Sequence, residues 1–216
     1  MDKFINELNI NNVGGGNLKK VLIATLYSPE PVLLASTRLG PDRLILLIDK
    51  KPCKEQNEAL QLIKKSLGKV LDVKEIKTDV YDIVSIATKC VEVIDMQPKD
   101  DEIYVNVTSG RKTKALGLLF ACYARHNRVK KIAYNPEEDK NAVIYLPRMS
   151  FKLTESQKKI LEHLEDGNYS NITDLGSKLG LSTAITYRAI DELKDMDLIS
   201  TTEGFKLTDA GKIARL

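Results

Sequence analysis

Residues 108–113 carry the side chains of this sequence that are best suited to chemistry. The segment Thr108-Ser109-Gly110-Arg111-Lys112-Thr113 supplies hydroxyls, a glycine and two adjacent cations, and an almost entirely apolar helical stretch follows it. A helix N-terminus favours anions through its dipole and its free N–H groups, and glycine lets such groups approach a ligand closely. The segment therefore predicts a site for a phosphate group.

A purely structural role is the competing interpretation of the same residues. Thr108 and Ser109 could cap the following helix, while Arg111 and Lys112 remain in solvent. Capping does not explain two cations in the first helical turn, where positive charge opposes the dipole. The segment lacks the first glycine of a P-loop, and the first apolar run lacks a Gly-rich dinucleotide fingerprint. Asp49 alone does not make a dinucleotide site, so a nucleotide hydrolase and an NAD enzyme are both disfavoured.

Short apolar runs alternate with helical patterns and must position this segment. The strand candidates are residues 21–26, 43–48, 70–76 and 103–107. Helical periodicity marks residues 55–67, 79–95 and 114–123, and residues 131–134 and 142–146 predict a closing hairpin. This order predicts an α/β fold with a Rossmann-like, mainly parallel sheet. Ligands of such sheets bind beyond the carboxyl ends of the strands where strand order reverses, so the loops at residues 25–29 and 108–113 are the candidates.

A second unit begins after Pro147. Helices are predicted from residue 155, over residues 172–179 and from 183 to about 196, with Gly180 as a tight turn and Ser182 as a cap. A strand pair at residues 198–201 and 204–208 and a terminal helix at 209–216 follow. This order predicts a small winged helix-turn-helix domain. We therefore expect a flexible leader at residues 1–17, a ligand-binding domain at 18–147 and a winged helix-turn-helix domain at 148–216.

Composition and charge narrow the class of protein. The chain has 216 residues and a net charge of +3, and it has neither a membrane-length apolar run nor a signal-peptide pattern, so we expect a cytoplasmic protein. Cys53, Cys90 and Cys122 are too few and too widely spaced for a disulfide framework or a zinc site, and we expect core cysteines, no metal and no cofactor. Residues 151–216 hold 9 Lys+Arg and 11 Asp+Glu, so the basic excess belongs to the first 150 residues.

The segment VNVTSGRKT, joined to a C-terminal winged helix, resembles the CARF-domain transcription regulators associated with archaeal CRISPR systems. The resemblance covers about residues 20–216. It implies a homodimer that binds cyclic oligoadenylate, with cyclic tetra-adenylate as the expected ring, in a pocket on the two-fold axis. By position, it implies that the ligand is bound by Thr25, Tyr27, Ser28, Thr108, Ser109, Gly110, Arg111 and Lys112.

The same resemblance leaves a second function open, because some relatives slowly cleave the cyclic RNA. In such a ring nuclease Ser28, Arg111 or Lys112 would position the ring and stabilise charge. His126 and His163 are not placed to act as a general base. We favour binding over catalysis.

The predicted third helix of the second unit is where a winged helix would read base edges in the major groove. We expect contacts to double-stranded DNA from Lys178, Ser182, Thr183, Tyr187, Arg188, Thr202 and Lys206. The net charge of −2 on this unit leaves a protein-binding assembly module as the alternative. The sequence thus favours a ligand-responsive DNA-binding transcription regulator.

Overall fold

The computed structural model describes residues 18–139, 142–149, 152–166, 171–202 and 204–216. The predicted leader, residues 1–17, lies outside the described residues. The first part of the chain contains β1 (Lys20–Thr25), α1 (Glu30–Leu39), β2 (Arg43–Asp49), α2 (Lys54–Leu67), β3 (Asp72–Thr78), α3 (Ile83–Asp95), β4 (Glu102–Asn106), α4 (Lys112–Ala124), β5 (Val129–Tyr134) and β6 (Ile144–Leu146). The second part contains α5 (Glu155–Asp166), α6 (Ile172–Leu179), α7 (Thr183–Asp195), β7 (Ile199–Ser200), β8 (Lys206–Leu207) and α8 (Asp209–Arg215). Among the helices described, none combines the length and apolar character needed to cross a membrane.

Six strands form one sheet in the order β3-β2-β1-β4-β5-β6. Strands β1 to β5 pair in parallel, and β6 pairs antiparallel to β5. The predicted Rossmann-like, mainly parallel sheet and its closing hairpin are therefore confirmed. Strand order reverses between β1 and β4, so the loops that follow these two strands lie side by side at one edge of the sheet.

Two apolar cores cover the central strands and explain their nearly unbroken apolar sequences. Alternate residues of β1 and β2 pack with α1 and α2 on one face of the sheet. The other residues of these strands pack with α3 and α4 on the opposite face. Cys90 and Cys122 are buried in this second core as predicted, and burial raises the pKa of the Cys90 thiol to about 12. Cys53 is only half-buried at the start of α2, so the prediction of a core position is wrong for this residue.

Two helices differ from the sequence predictions. Helix α1 was not predicted; Pro29 is its N-cap residue and Pro31 lies in its first turn. Proline is tolerated in a first helical turn, where N–H groups have no partner within the helix. Helix α3 starts at Ile83 rather than residue 79, because the Asp79 carboxylate accepts the N–H groups of the next three residues and forms a turn. The Asp82 side chain then caps the helix.

The second part of the chain has the predicted order of three helices, two short strands and a final helix. Thr154 and Gln157 exchange side-chain to backbone hydrogen bonds and start α5, and Gly180 ends α6 with φ +65°. A separate apolar core joins α5, α6 and α7. The predicted helices and strand pair are confirmed. Helix α8 also packs against α3 and α4, and Arg125 donates a hydrogen bond to the Leu216 carbonyl.

The contact between α3 and α4 depends on Gly117. A Cβ at this position would lie 2.5 Å from Ile86 Cγ2 and 2.8 Å from Ile86 Cβ. We expect Gly117→Ala to lower the free energy of unfolding by about 1–3 kcal/mol, the usual range for overpacking. Urea denaturation measures the change, with Leu116→Ala on the exposed side of the same helix as control. A Gly117→Ala variant as stable as wild type would contradict the close packing.

Candidate anion-binding site

Ser109 joins the two loops at the point where strand order reverses. We call residues 25–29 the first loop, residues 107–112 the second loop and both together the loop cluster. The Ser109 hydroxyl accepts the N–H groups of Tyr27 and Ser28, each at 2.9 Å, and donates to the Ser28 carbonyl at 3.2 Å. Ser109 is only 5% exposed. Its side chain therefore fixes the first loop against the second.

The second loop leaves the start of α4 without a side-chain cap. The N-cap residue is Arg111, and its side chain makes no capping hydrogen bond. The Ser109 hydroxyl bonds to the first loop, and the Thr108 hydroxyl interacts with Asn135. The interpretation of Thr108 and Ser109 as helix caps is therefore wrong. An uncapped helix start presents backbone N–H groups that suit an anion.

Gly110 brings the second loop close to the end of β1. Its φ of +93° lies in the left-handed region that favours glycine. A Cβ there would lie 3.4 Å from the Thr25 Cβ and 3.5 Å from the Leu26 carbonyl oxygen. Thr25 itself is fully buried beneath this contact, and its Oγ1 has no hydrogen-bond partner among the described residues. A ligand at the surface would thus meet the second loop before it met Thr25.

Asp49 at the end of β2 binds two cations of the α4 start. Lys114 Nζ lies 2.5 Å from Asp49 Oδ1, and Arg111 Nε lies 3.1 Å from Asp49 Oδ2. Burial alone would raise the pKa of Asp49, but hydrogen bonds from Lys114 and Arg111 hold it below its usual value. Burial lowers the pKa of Lys114, and the Asp49 carboxylate opposes this change. By formal charge, these two ion pairs join one carboxylate to two basic side chains and leave one positive charge in excess.

Arg111 and Lys112 present positive charge to solvent. The Arg111 side chain is 44% exposed, and its guanidinium carbon lies 5.8 Å from the centre of the Tyr81 ring. Lys112 is exposed and has no ion pair within the described part of the chain. Tyr27 is 42% exposed, while Ser28 is half-buried. The structure therefore gathers the predicted ligand residues at one place, with Thr25 and Ser109 below the surface.

Buried amide side chains support both loops and were missed in the sequence analysis. Asn106 Nδ2 donates to Asn135 Oδ1 at 2.9 Å, and the Thr108 hydroxyl accepts the Asn135 N–H at 2.8 Å. Gln56 Nε2 donates to the Leu26 carbonyl at 2.7 Å, and Gln56 Oε1 accepts the Asp49 N–H at 3.1 Å. The visible signal was the polar Asn106 inside an otherwise apolar strand.

An apolar groove of about 620 Å³ opens beside the loop cluster. Its walls are the outer surface of α1, including Leu33 and Leu34, and the segment after β5 that contains Pro136. Ser28 and Thr108 form the end of the groove that adjoins the two loops. The charged residues that line the groove are Glu30 and Glu137, whereas Arg111 and Lys112 belong to the second loop and do not line it.

The two histidines lie outside the loop cluster. His126 lies just beyond the far end of α4 and His163 lies on α5, and both are exposed. No group of three or more His, Cys, Asp or Glu side chains in the described ranges could hold a metal ion.

The predicted DNA contacts lie on the surface of the second unit. Thr183, Tyr187 and Arg188 are exposed on α7, and Arg188 Nε lies 2.9 Å from Glu192 Oε1. The Ser182 side chain accepts the Ile185 N–H and caps this helix.

The remaining three predicted contacts lie outside α7. Lys178 on α6 pairs with Asp174 at 3.6 Å. Thr202 and Lys206 are exposed on the β7–β8 hairpin.

Comparisons with known proteins give one family and several similar structures. A family model described as HFX_2341_N:-like, N-terminal, matches residues 21–139, more than half of the chain. No curated protein matches the sequence.

Three solved structures illustrate the structural similarity. Can2 from Sulfobacillus thermosulfidooxidans, in complex with cyclic tetra-adenylate, is 20% identical with a TM-score of 0.49, and the match covers 90% of this chain and 62% of Can2. Protein VC1899 from Vibrio cholerae is 12% identical with a TM-score of 0.49, and the match covers 91% of this chain and 64% of VC1899. Enterococcus italicus Csm6, bound to cyclic hexa-2'-fluoro-hexa-dAMP, is 14% identical with a TM-score of 0.48, and the match covers 84% of this chain and 55% of Csm6. This chain spans less than two thirds of each of these three solved chains.

Proposed function

We propose that this chain, which belongs to the family described as HFX_2341_N:-like, N-terminal, binds a cyclic oligoadenylate through the loop cluster and DNA through its second unit. Ligand binding changes the affinity for DNA, so the protein acts as a transcription regulator. The observation that carries the proposal is the uncapped start of α4, with Arg111 and Lys112 exposed beside it. The resemblance of VNVTSGRKT to CARF regulators supplies the class of ligand.

The charges of the site support a phosphodiester. Asp49 pairs with the buried Lys114 as well as with Arg111, so its single negative charge does not cancel both exposed cations. Each charge-assisted hydrogen bond to a phosphate is worth about 1.5–3 kcal/mol. The α4 start adds backbone N–H groups and the positive end of the helix dipole. A monoanionic phosphodiester would therefore be held by charge and by directed hydrogen bonds together.

The groove beside the loops supports a nucleotide rather than an inorganic anion. Its volume of about 620 Å³ lies within the usual range for small-molecule sites. Leu33, Leu34 and Pro136 offer apolar contact to a planar base, and Ser28 and Thr108 line the groove beside the loop cluster. Glu30 and Glu137 also line the groove and would face the base rather than the phosphate. The ligand would thus place its base in the groove and its phosphate at the second loop.

A homodimer is part of the proposal. One chain offers a single loop cluster, whereas cyclic tetra-adenylate has four phosphodiesters, so a two-fold dimer would contact the ring from both sides. The face of the sheet beside α1 supports self-association, because Tyr104 and Tyr145 lie on it and Tyr145 is 59% exposed. Light scattering on the full chain measures the molar mass in solution, and we expect the mass of a dimer. A monomer at micromolar concentration would contradict the proposed homodimer.

Calorimetric titration of the full chain with cyclic tetra-adenylate tests the ligand half. We expect saturable binding with one ring per dimer, and linear tetra-adenylate of the same composition is the control. Absence of heat and of any shift in melting temperature would refute it. Chromatography of the ligand after the titration distinguishes binding from cleavage. An intact ring supports a sensor, whereas a linear product would show that the protein is a ring nuclease.

The double variant Tyr187→Ala/Arg188→Ala tests the DNA half. Both side chains are exposed on α7 and contribute nothing to its core, so the variant should fold. We expect its affinity for a promoter fragment that wild type binds to fall by at least about tenfold, the effect of losing base contacts. Gel shifts measure it, with Lys158→Ala on α5 as the charge-loss control. Failure of wild type to shift promoter DNA, with specific capture of a protein, would favour an assembly module.

A further inference from the structure

We propose that Lys114 sets the anion affinity of the loop cluster from a fully buried position. Lys114 would neutralise Asp49, so that the charge of Arg111 remains available to a ligand. The inference rests on the proposed anion site and assigns a positioning role to a residue that no ligand can touch.

The burial of Lys114 needs an explanation other than stability. Its side chain is 0% exposed, although it lies in the first turn of α4. Lysine is almost never fully buried unless it is paired. Replacing a buried ion pair by apolar residues of similar volume is often neutral or stabilising. A role in the site accounts for a charge that the core does not require.

The geometry divides the Asp49 carboxylate between two cations. Oδ1 binds Lys114 Nζ and Oδ2 binds Arg111 Nε. Without Lys114, Arg111 would be the only cation bonded to a buried carboxylate, and its charge would be cancelled. With Lys114 present, the cluster of three keeps one net positive charge. Arg111 is the exposed member, so this charge appears at the surface of the second loop.

Asp49 also fixes the direction in which Arg111 can bind. Guanidinium has five N–H donors in a fixed plane, and the Nε–H is donated to Asp49. The described residues offer no hydrogen-bond partner to the two terminal nitrogens, which therefore remain for a phosphate. The Tyr81 ring lies near the guanidinium and further limits its rotation.

A set of three variants tests the inference. Lys114→Met is expected to weaken binding of cyclic tetra-adenylate by at least about tenfold, because Arg111 must then neutralise Asp49 alone. Asp49→Asn/Lys114→Met removes both charges with similar shapes, and we expect affinity within about threefold of wild type. Lys89→Met, which removes an exposed lysine paired with Glu92 on α3, is the matched control and should bind like wild type.

The dependence of ligand affinity on salt concentration distinguishes the proposed role of Lys114 from a purely structural one, because a purely structural role would leave this dependence unchanged. The logarithm of the affinity falls as the logarithm of the salt concentration rises, and the slope reports the number of counterions released on binding. We expect this slope to be smaller for Lys114→Met than for wild type, by about one counterion. The double variant should recover the wild-type slope. If Lys114→Met does not fold, the double variant carries the test, and a loss of affinity beyond tenfold in the folded double variant would overturn the inference.

Pyrophosphate is titrated in parallel, with the Gly110 amide signal in NMR spectra as the probe. Wild type that binds pyrophosphate but not cyclic tetra-adenylate would refute the proposed ligand, and the same variants then test Lys114 against pyrophosphate. Wild type that binds neither anion would overturn both proposals. Equal affinities for wild type and a folded Lys114→Met would overturn the role of Lys114 alone.

Discussion

The double variant Arg111→Gln/Lys112→Gln is expected to bind cyclic tetra-adenylate at least about 100-fold more weakly than wild type. It removes both exposed cations of the second loop and leaves the Asp49–Lys114 pair in place. Two charge-assisted hydrogen bonds lost at about 1.5–3 kcal/mol each give this magnitude. The fold should persist, since neither side chain belongs to an apolar core.

Calorimetry measures the loss, and Lys64→Gln/Lys65→Gln on α2 is the control for a change of two charges elsewhere. We expect this control to bind like wild type apart from a small, salt-dependent decrease. Unchanged affinity in the Arg111/Lys112 variant would place the ligand somewhere other than the second loop.

Ser109→Ala is expected to lower the free energy of unfolding by about 2–4 kcal/mol, because two N–H groups lose their acceptor. These are the N–H groups of Tyr27 and Ser28, and Ser109 is too buried for water to replace its hydroxyl easily. Such a loss is a large fraction of the stability of an ordinary domain. The first loop should also become more mobile, so ligand affinity should fall with stability.

Urea denaturation and the melting temperature measure this effect. Ser28→Ala is the matched control, since the Ser28 hydroxyl lies 3.4 Å from Ser109 Oγ and carries less of the loop contact. We expect this control to change stability by less than about 1 kcal/mol. A Ser109→Ala variant as stable as wild type would show that the loops do not depend on this hydroxyl.

The architecture was largely predictable because its signals are local. The apolar runs of β1 and β2 reflect burial on both faces, and the alternation of strands with helices indicated a parallel sheet. The pairing of β1 with β4 followed from that topology, which is why the two loops were correctly placed together. Helix α1 was not predicted. Prolines as close together as Pro29 and Pro31 are common in loops, and they fit a helix only at its first turn, which the sequence does not locate.

The roles within the site were less predictable, because they depend on contacts between distant residues. Asp49 and Lys114 are 65 positions apart, and in the sequence Lys114 is one more cation after Arg111 and Lys112. Ser109 lies at the expected place, but its hydroxyl accepts hydrogen bonds from the N–H groups of Tyr27 and Ser28, which are 82 and 81 positions away in the sequence. Residue type predicted that these groups belong to the site, and only the fold shows which of them are exposed and which are buried.

Hydrogen exchange of the full chain with and without cyclic tetra-adenylate tests the central claim most directly. The two loops contain the backbone N–H groups that the proposed ligand would cover or immobilise. We expect slower exchange in peptides from residues 25–29 and 107–113, and a smaller change along α1 at the groove. Unchanged exchange in both loops at saturating ligand, or protection confined to another part of the chain, would contradict the account.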